Sequence, residues 1–467
     1  MHHNGAMSHD RPRDAGQARG GDDVLRDVYA AIIDRAPEHD FEPTLDRMRQ
    51  VCELLGDPQL AYRVVHVTGT NGKTSTTRIV ERLVREHGLR TGRFTSPHLT
   101  SVTERIAIDG EPISPERFVA VWRDVEPYVR MVDERSTAAG GPRMSFFEVL
   151  TVMAFAAFAD APVDVAVIEV GMGGQWDATN VVQPDVAVIA PVALDHERWL
   201  GHTLVEIAEE KAGVVKPGAA LVLAEQQEDV EGVILAAAAE RGVRVVREGV
   251  DLAVAAREVG VGGQLVSLRT VGGLYTDVFL PLHGEHQAHN ALLALAATEL
   301  LLRGGGTLAP GIVESAMAAV DSPGRLELVR SSPTVIVDAA HNPAGAEALV
   351  AALREAFAFE RLVGVVGILQ DKDAEAILSV LEPVLDEVVV TRSASVRAYD
   401  VDDLEEIAVD VFGPDRVHVA ERLDDAIARG VDLAEADITG AMTGAGVLVT
   451  GSITLVAEAR ALLRPGS

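Results

Sequence analysis

Cysteine is almost absent from this sequence: Cys52 stands alone, which excludes an intrachain disulfide and any multi-cysteine metal site. A lone thiol suits a reducing compartment. Aromatic residues are scarce at 4%, leaving Ala, Val and Leu to fill the core and arguing against a base-stacking surface. Bases are outnumbered, with 41 Lys and Arg against 71 Asp and Glu and a formal charge of −30. A surface of that sign repels phosphate backbones and anionic lipid, so neither nucleic acid nor membrane is an expected partner. Long apolar runs are missing too. Residues 1–23 contain nothing like the h-region of a signal peptide and are expected to form a disordered tail. Stretches such as 149–159 are too short to span a bilayer. The expectation is a soluble, cytoplasmic protein.

What the chain does have is 467 residues, 48% of them hydrophobic, enough for two or three domains. From about residue 60 one rhythm repeats: a short β-branched run, a glycine or polar turn, then a helical stretch. The runs at 63–68, 164–169, 185–190 and 220–224 are nearly all apolar, as parallel strands buried on both faces require. At 264–270 and 274–280 two strands follow one another around Gly272 and Gly273, a hairpin and hence a small antiparallel patch. A long Ala/Leu helix is expected over 289–303. Pro323 and Gly324 then break any regular element, marking 321–324 as a linker. The rhythm restarts at 334–338, 362–369, 387–391, 416–420 and 446–450. The fold class is therefore α/β: a P-loop-type, mostly parallel sheet domain with an antiparallel patch over 24–320, and a smaller Rossmann-like α/β domain over 325–467, with a cleft between them.

Residues 64–75, reading VVHVTGTNGKTS, make a strand, a glycine turn and the start of a helix over 76–86. Glycines let backbone N–H groups converge on phosphate oxygens, the helix N-terminus adds positive potential, and Lys73 neutralises charge on the transferred group. Thr74 or Ser75 offers a hydroxyl to Mg²⁺. Val67 replaces the first glycine of the strict phosphate-loop motif, yet the strand–turn–helix context favours nucleotide binding over an ordinary capped turn. No N-K-x-D segment follows, which weakens a guanine-nucleotide reading.

Glu169 ends a buried strand at the edge where open α/β sheets bind ligands, so it is placed to hold Mg²⁺; on this feature alone a solvated strand-end carboxylate fits equally. Asp195 and His196 follow the next strand, and His196 in isolation reads as a loop histidine. Lys211 is more informative, because it completes the apolar helical stripe of Leu204, Ile207 and Ala208. Burial disfavours the ammonium form, and a neutral buried amine can take up CO₂ as a carbamate, turning a cation into an oxygen ligand; the competing reading is a snorkelling lysine. Farther on, the strand carrying Val335, Ile336 and Val337 ends in Asp338, with His341 three residues later, and a second strand ends in Thr450, Gly451 and Ser452. Asn342 or Ser452 alone would be a helix cap. Asp338 and His341 together favour a site.

These segments, in this order, resemble the Mur ligase superfamily and within it the folylpolyglutamate synthase/dihydrofolate synthase family, over about residues 41–456. The likeness rests on 66–75, on Thr95, Ser96, Pro97 and His98 with Glu104 and Arg105, on Ser145, Phe146, Phe147 and Glu148, on 169–180, 195–196, 210–218 and 286–290, and on 323–327, 338–343, 371–373 and 450–452. The Ser-Pro-His and Phe-Phe-Glu segments favour the folate branch over its cell-wall relatives.

The resemblance implies that Thr70, Asn71, Gly72, Lys73 and Thr74 cradle ATP, that Asn290, Arg325 and Asp338 contact it, and that Ser96, Glu169, His196 and a carbamylated Lys211 hold two Mg²⁺. Ser145, Phe146, Phe147, Glu148, Trp176, Asp177 and Ala178 would line a pterin site, and His341 and Ser452 would sit with the incoming L-glutamate. It further implies an ATP-dependent ligase, acting as a monomer, that adds L-glutamate to dihydropteroate, to reduced folates or to both through an acyl phosphate, with Lys73, Lys211, Asp338 and His341 as the catalytic set. Two departures stand out: Gln175 and Trp176 precede Asp177 where the family usually has Arg-Leu, and Thr74 stands where folate members often have glycine. The alternatives are a cell-wall Mur ligase and a P-loop ATPase without ligase activity.

Overall fold

The computed structural model describes residues 21–35, 43–436 and 444–464. Its first helix is Gly21–Ile33, so its opening residues overlap the segment expected as a tail; the rest of that segment lies outside the described residues. No described helix is long and apolar enough to cross a membrane.

Among the described residues the strands form three sheets. The first comprises β1 (Arg63–Thr68), β2 (Thr91–Phe94), β3 (Ile106–Ile108), β4 (Glu111–Pro112), β5 (Val165–Glu169), β6 (Val186–Ile189), β7 (Ala220–Leu223) and β8 (Arg244–Arg247), in the order β4-β3-β2-β5-β1-β6-β7-β8. It is parallel except at β3 and β4. The second is β9 (Ala253–Gly260), β10 (Gly263–Arg269) and β11 (Leu274–Leu280), antiparallel throughout. The third comprises β12 (Glu327–Ser331), β13 (Thr334–Val337), β14 (Arg361–Val366), β15 (Glu387–Val390), β16 (Val417–Val419) and β17 (Ala445–Thr450), in the order β12-β13-β17-β14-β15-β16, parallel except for β12.

The two-residue period of a strand explains the core. Along β1 and β5, Val64, Ala166 and Ile168 face one way, into a cluster with Phe155 and Phe158 of the helix Phe146–Asp160. Val65, Val67, Val165 and Val167 face the other, against the helices Lys73–Glu86 and Glu285–Arg303. A helix wedged between two sheets must be apolar all round, and Glu285–Arg303 is buried along most of its length. Its one deeply buried carboxylate, Glu299, accepts hydrogen bonds from Thr270 and Tyr275 at 2.8 Å each and pins the antiparallel sheet in place. This sheet has three strands where two were expected, and the long helix begins four residues before the expected start.

Because β1, β5, β6, β13, β14 and β17 run parallel within their sheets, their C-terminal ends converge, and the loops leaving them carry the chemistry. The stretch expected as a linker forms no regular element and is fastened rather than loose. Ser322 hydrogen-bonds Ser75 at 3.0 Å, and Asp321 pairs with Arg78 at 2.7 Å.

Candidate active site

At the end of β1 the chain turns through Gly69 and Gly72 and enters the helix at Lys73, three residues before the expected start. Both glycines are needed for close approach. A Cβ on Gly69 would lie 2.7 Å from Ala190 Cβ, and one on Gly72 (φ 84°) would lie 2.4 Å from Asn290 Oδ1. Thr70 locks the loop to the segment after β6: its N–H donates to the Pro191 carbonyl at 2.9 Å, and its hydroxyl bridges the Ala193 carbonyl and N–H at 3.0 Å each. Lys73 Nζ donates to the carbonyls of Gly69 and Thr70, both at 3.0 Å. Burial lowers its ammonium from the ordinary value, against the pull of Glu169.

Glu169, buried at the end of β5, accepts from the Thr74 hydroxyl at 2.7 Å and the Ser96 N–H at 3.3 Å. Burial pushes its carboxyl up, opposed by Lys73, Thr74 and Ser96. A buried carboxylate beside the Thr74 hydroxyl fits a hard cation that keeps water and phosphate as its other ligands, although no group of three His, Cys, Asp or Glu gathers as a metal cage among the described residues. His196 adopts a left-handed backbone (φ 53°) beside Asp195, and burial drops its imidazole to about 3, leaving it neutral. Lys211 occupies the core-facing slot its helical stripe predicted. Its Nζ donates to the Gly69 carbonyl at 2.9 Å, the same oxygen that Lys73 binds. Burial, and then the charge of Lys73, lower it to about 7.

The third sheet supplies the facing wall. Asp338, directly after β13, accepts from the N–H groups of Leu326 and Ala340 at 2.8 Å each. Burial raises its carboxyl, and Arg325 opposes that first. His341 Nδ1 donates to the Ala339 carbonyl at 2.8 Å, and its Nε2 lies 3.5 Å from Asp195. Asn342 and Ser452 line the cavity and also cap the helices that follow them. Asn342 accepts from Gly345 N–H at 2.7 Å and Ser452 from Leu455 N–H at 3.2 Å. Asn342 also exchanges two 3.2 Å hydrogen bonds with Asn71 and donates to Asp195 at 3.2 Å.

Asp195 is thus the junction between the two parallel sheets, and Lys372 completes it with a direct ion pair. Burial alone would raise the Asp195 carboxyl. The His341 side chain beside it and the charge of Lys372 outweigh this and hold it well below the usual range.

Beyond the phosphate loop the surroundings turn aromatic. Ser145 and Glu148 form a reciprocal capping box on the helix Phe146–Asp160, and Glu148 also binds Arg47 at 3.1 Å, so their polar atoms are engaged within the protein. Phe147 packs so close to Gly171 that a Cβ there would fall 2.5 Å from its ring. Tyr29 meets His98 and Phe146 edge-on at 6.0 and 5.9 Å, and Arg105 lies 5.1 Å from the Phe146 ring centre while donating to His98 at 2.9 Å. Asp177 is buried, with Oδ1 accepting from Thr179 N–H and Oδ2 from Met172 N–H, each at 2.9 Å.

All of these surfaces open on one cavity of about 1220 Å³. Of the residues singled out from the sequence, Thr70, Asn71, Gly72, Lys73, Thr74, Ser96, Ser145–Glu148, Glu169, Trp176, Asp177, Ala178, His196, Asn290, Arg325, Asp338, His341 and Ser452 line it. Lys211 does not; it lies under the phosphate loop. Sequence reasoning gave no role to Tyr29, to the His98–Arg105 pair or to the Asp195–Lys372 junction. Tyr29 sits on a helix with no motif, and nothing local in the segment 371–373 marks Lys372 as the partner of a carboxylate so far away in sequence.

Comparison with known proteins agrees with this architecture. Residues 67–298 match the Mur ligase middle domain and residues 324–453 the Mur ligase glutamate ligase domain. A dihydrofolate synthase/folylpolyglutamate synthase of Mycobacterium tuberculosis is 49% identical, with 97% of each chain covered. The Bacillus subtilis protein of the same name is 37% identical over 73% of this chain and 79% of its own. The solved structure of the M. tuberculosis folylpolyglutamate synthase complexed with ADP and AMPPCP superposes with a TM-score of 0.90, covering 95% of this chain and 99% of that one. A cavity bounded by a phosphate loop, an aromatic pocket and a second sheet edge, together with these likenesses across nearly the whole length, establishes that the chain belongs to the dihydrofolate synthase/folylpolyglutamate synthase family of Mur ligases.

Proposed function

We propose that this chain joins L-glutamate through an amide bond to dihydropteroate and to reduced folates, with ATP supplying the driving force. The observation that carries the reading is the shared cavity: Lys73, the aromatic residues around Phe147, and Asp338 with His341 all face the same space. The 49% identity to a protein named for both activities supports the choice of both acceptors. Every group the reaction needs lies on one chain, so the reading requires no second copy.

A carboxylate resists attack by an amine until it carries a leaving group. The γ-phosphoryl group of ATP passes to the acceptor carboxylate, forming an acyl phosphate and releasing ADP. Thr70–Thr74 bind the triphosphate, and Lys73 neutralises the charge that develops on it. Mg²⁺ would be held by Ser96, Glu169, His196 and a carbamylated Lys211, and would supply further neutralisation of the phosphates. Carbamylation needs a neutral amine, and with Lys211 lowered to about 7 a large fraction is neutral near that pH. The α-amine of glutamate, oriented by His341 and Ser452, attacks the acyl carbon; the tetrahedral intermediate collapses, phosphate leaves and the amine proton is lost. Asn290, Arg325 and Asp338 grip the nucleotide from both sides. The working units are residues 24–320 and 325–467, joined at 321–324 and closing over the acyl phosphate to keep out water.

The test is phosphate release from ATP with each acceptor and glutamate supplied separately and together. Release that requires an acceptor and glutamate supports the reading. Hydrolysis indifferent to glutamate overturns it in favour of a simple ATPase, and activity only with a sugar-nucleotide peptide overturns it in favour of a cell-wall ligase.

A further inference from the structure

His66 stands in the middle of β1, beside Ile168 of β5 and Ala187 of β6, and is completely buried. An imidazole inside a parallel sheet is costly unless its polar atoms are used. Its Nε2 lies 2.8 Å from the hydroxyl of Thr179, also fully buried, and that hydroxyl lies 2.5 Å from Oδ1 of Asp177. Asp177 is the member of this chain that reaches the cavity.

The hydrogens in such a chain have a direction. Burial pushes the Asp177 carboxyl up, but the hydroxyl of Thr179 and the N–H groups of Met172 and Thr179 all point at it and favour the ionised form. A hydroxyl has one hydrogen and an ionised carboxylate only accepts, so Thr179 donates to Asp177 and receives from His66. Nε2 therefore carries the hydrogen and Nδ1 is bare, and Nδ1 is buried without a partner. The reversed chain, starting from a protonated Asp177, would place a hydrogen on Nδ1 with nothing to accept it. A buried N–H left unpaired forfeits its full desolvation penalty and is rarer than an under-used acceptor. Burial, reinforced by Lys216, drops the imidazole to about 3, so a doubly protonated ring is not a way out.

We propose that His66 is a positioning residue for the acceptor substrate: acting through Thr179, it holds Asp177 as a hydrogen-bond acceptor at the aromatic end of the cavity, where it meets the N–H groups of the pterin amino-lactam edge. This rests on the assignment of that end to the pterin. His66 touches no substrate, so its effect falls on acceptor binding and not on phosphate chemistry.

The test compares His66→Leu, which removes the donor, with His66→Gln, whose amide restores one, and with Thr179→Val, which cuts the chain while nearly preserving shape. Dihydropteroate is the probe. His66→Leu and Thr179→Val are expected to raise its KM roughly five- to tenfold, the worth of one hydrogen bond, with kcat and the KM for ATP within about twofold; His66→Gln recovers most of the loss. Unchanged dihydropteroate KM in both disrupting variants, or a thermal-stability loss shared by all three with no KM effect, overturns the proposal. If His66→Leu does not fold, Thr179→Val decides alone, and ¹⁵N-histidine NMR of the unmodified protein provides a second check: a neutral ring with its hydrogen on Nε2 is expected, and an Nδ1–H tautomer overturns the chain. Asp177→Asn separates the two layers of the argument. If it leaves dihydropteroate binding intact, the pterin assignment has failed; if it weakens binding while Thr179→Val does not, only the role of His66 has failed.

Discussion

At the edge of the first sheet, β1 and β5 deliver Lys73, Thr74 and Glu169, whose side chains bind one another or their own loop and support no helix end. At the edge of the third sheet, β13 and β17 lead into Asn342 and Ser452, each of which caps the helix that follows. Both edges face the same cavity, but the first is built from groups free to serve chemistry and the second from groups that also hold the fold. Substitutions at the first edge should cost activity with little change in stability. At the second edge the two should fall together.

The sharpest test of the first half of that contrast is Lys73→Met. Loss of a charge aimed at the transferred phosphoryl group is expected to slow turnover about 10²–10³-fold. Unfolding temperature should hardly move, because Nζ binds only loop carbonyls and the Glu169 carboxyl that Lys73 helps hold down can take up a proton once the charge is gone. A large stability loss here would break the comparison. Steady-state phosphate release and a thermal melt on the same preparation give both numbers.

Next in size is Lys372→Met, at the junction where the two edges touch. Breaking one partner of a sealed ion pair costs more than this one should, because the two sheets can part and let water reach Asp195. An equilibrium stability loss of about 1.5–3 kcal/mol, the worth of a charged hydrogen bond, is expected. The pH dependence follows from Asp195, whose folded carboxyl is held well below its ordinary value. Its stabilisation is complete above the unfolded carboxyl near about 4 and is lost only as pH falls through the lower folded value. The penalty in the variant should therefore be constant between about pH 5 and 8 and shrink in stronger acid; a penalty fading at pH 6 would assign it to another group.

How much of this was legible in the sequence follows from the kind of signal each part leaves. Strands buried on both faces announce themselves as β-branched runs, so β1, β5, β6, β13 and β17 were readable. β9 was not: Ala253–Gly260 is largely solvent-facing and carries Arg257 and Glu258, leaving no apolar alternation. β2, reading TGRF, hides a buried Arg93 that is paired with Glu81, so its pattern looks like a turn. The phosphate loop and the slot of Lys211 are local and could be read. The Asp195–Lys372 pair spans 177 residues, and only the folded chain brings it together. The long helix begins early because its first turn, with His286 and Gln287, is polar yet lies against the cavity.

A smaller effect sharpens the picture of two edges acting on one nucleotide. Arg325, just past 321–324, lines the cavity and is the first charge opposing the rise of the Asp338 carboxyl. Arg325→Ala is expected to raise the KM for ATP about tenfold, roughly 1.4 kcal/mol, and to leave the KM for the folate acceptor within about twofold. An unchanged ATP dependence would mean that the nucleotide is held by the first edge alone.

Ser452 gives the smallest effect and the finest test. It is fully buried, caps the helix Ile453–Leu463 and lines the cavity. Ser452→Ala removes both the cap and any contact with glutamate, and losing the cap alone costs about 1 kcal/mol. Glycine caps within a few tenths of a kcal/mol of serine but has no hydroxyl to offer a ligand. If the residue serves both purposes, Ser452→Gly should recover most of the unfolding temperature lost in Ser452→Ala, while the KM for glutamate stays raised in both. If the KM recovers along with the melting temperature, the hydroxyl does nothing but end a helix, and the second edge recognises glutamate through His341 and its neighbours without it.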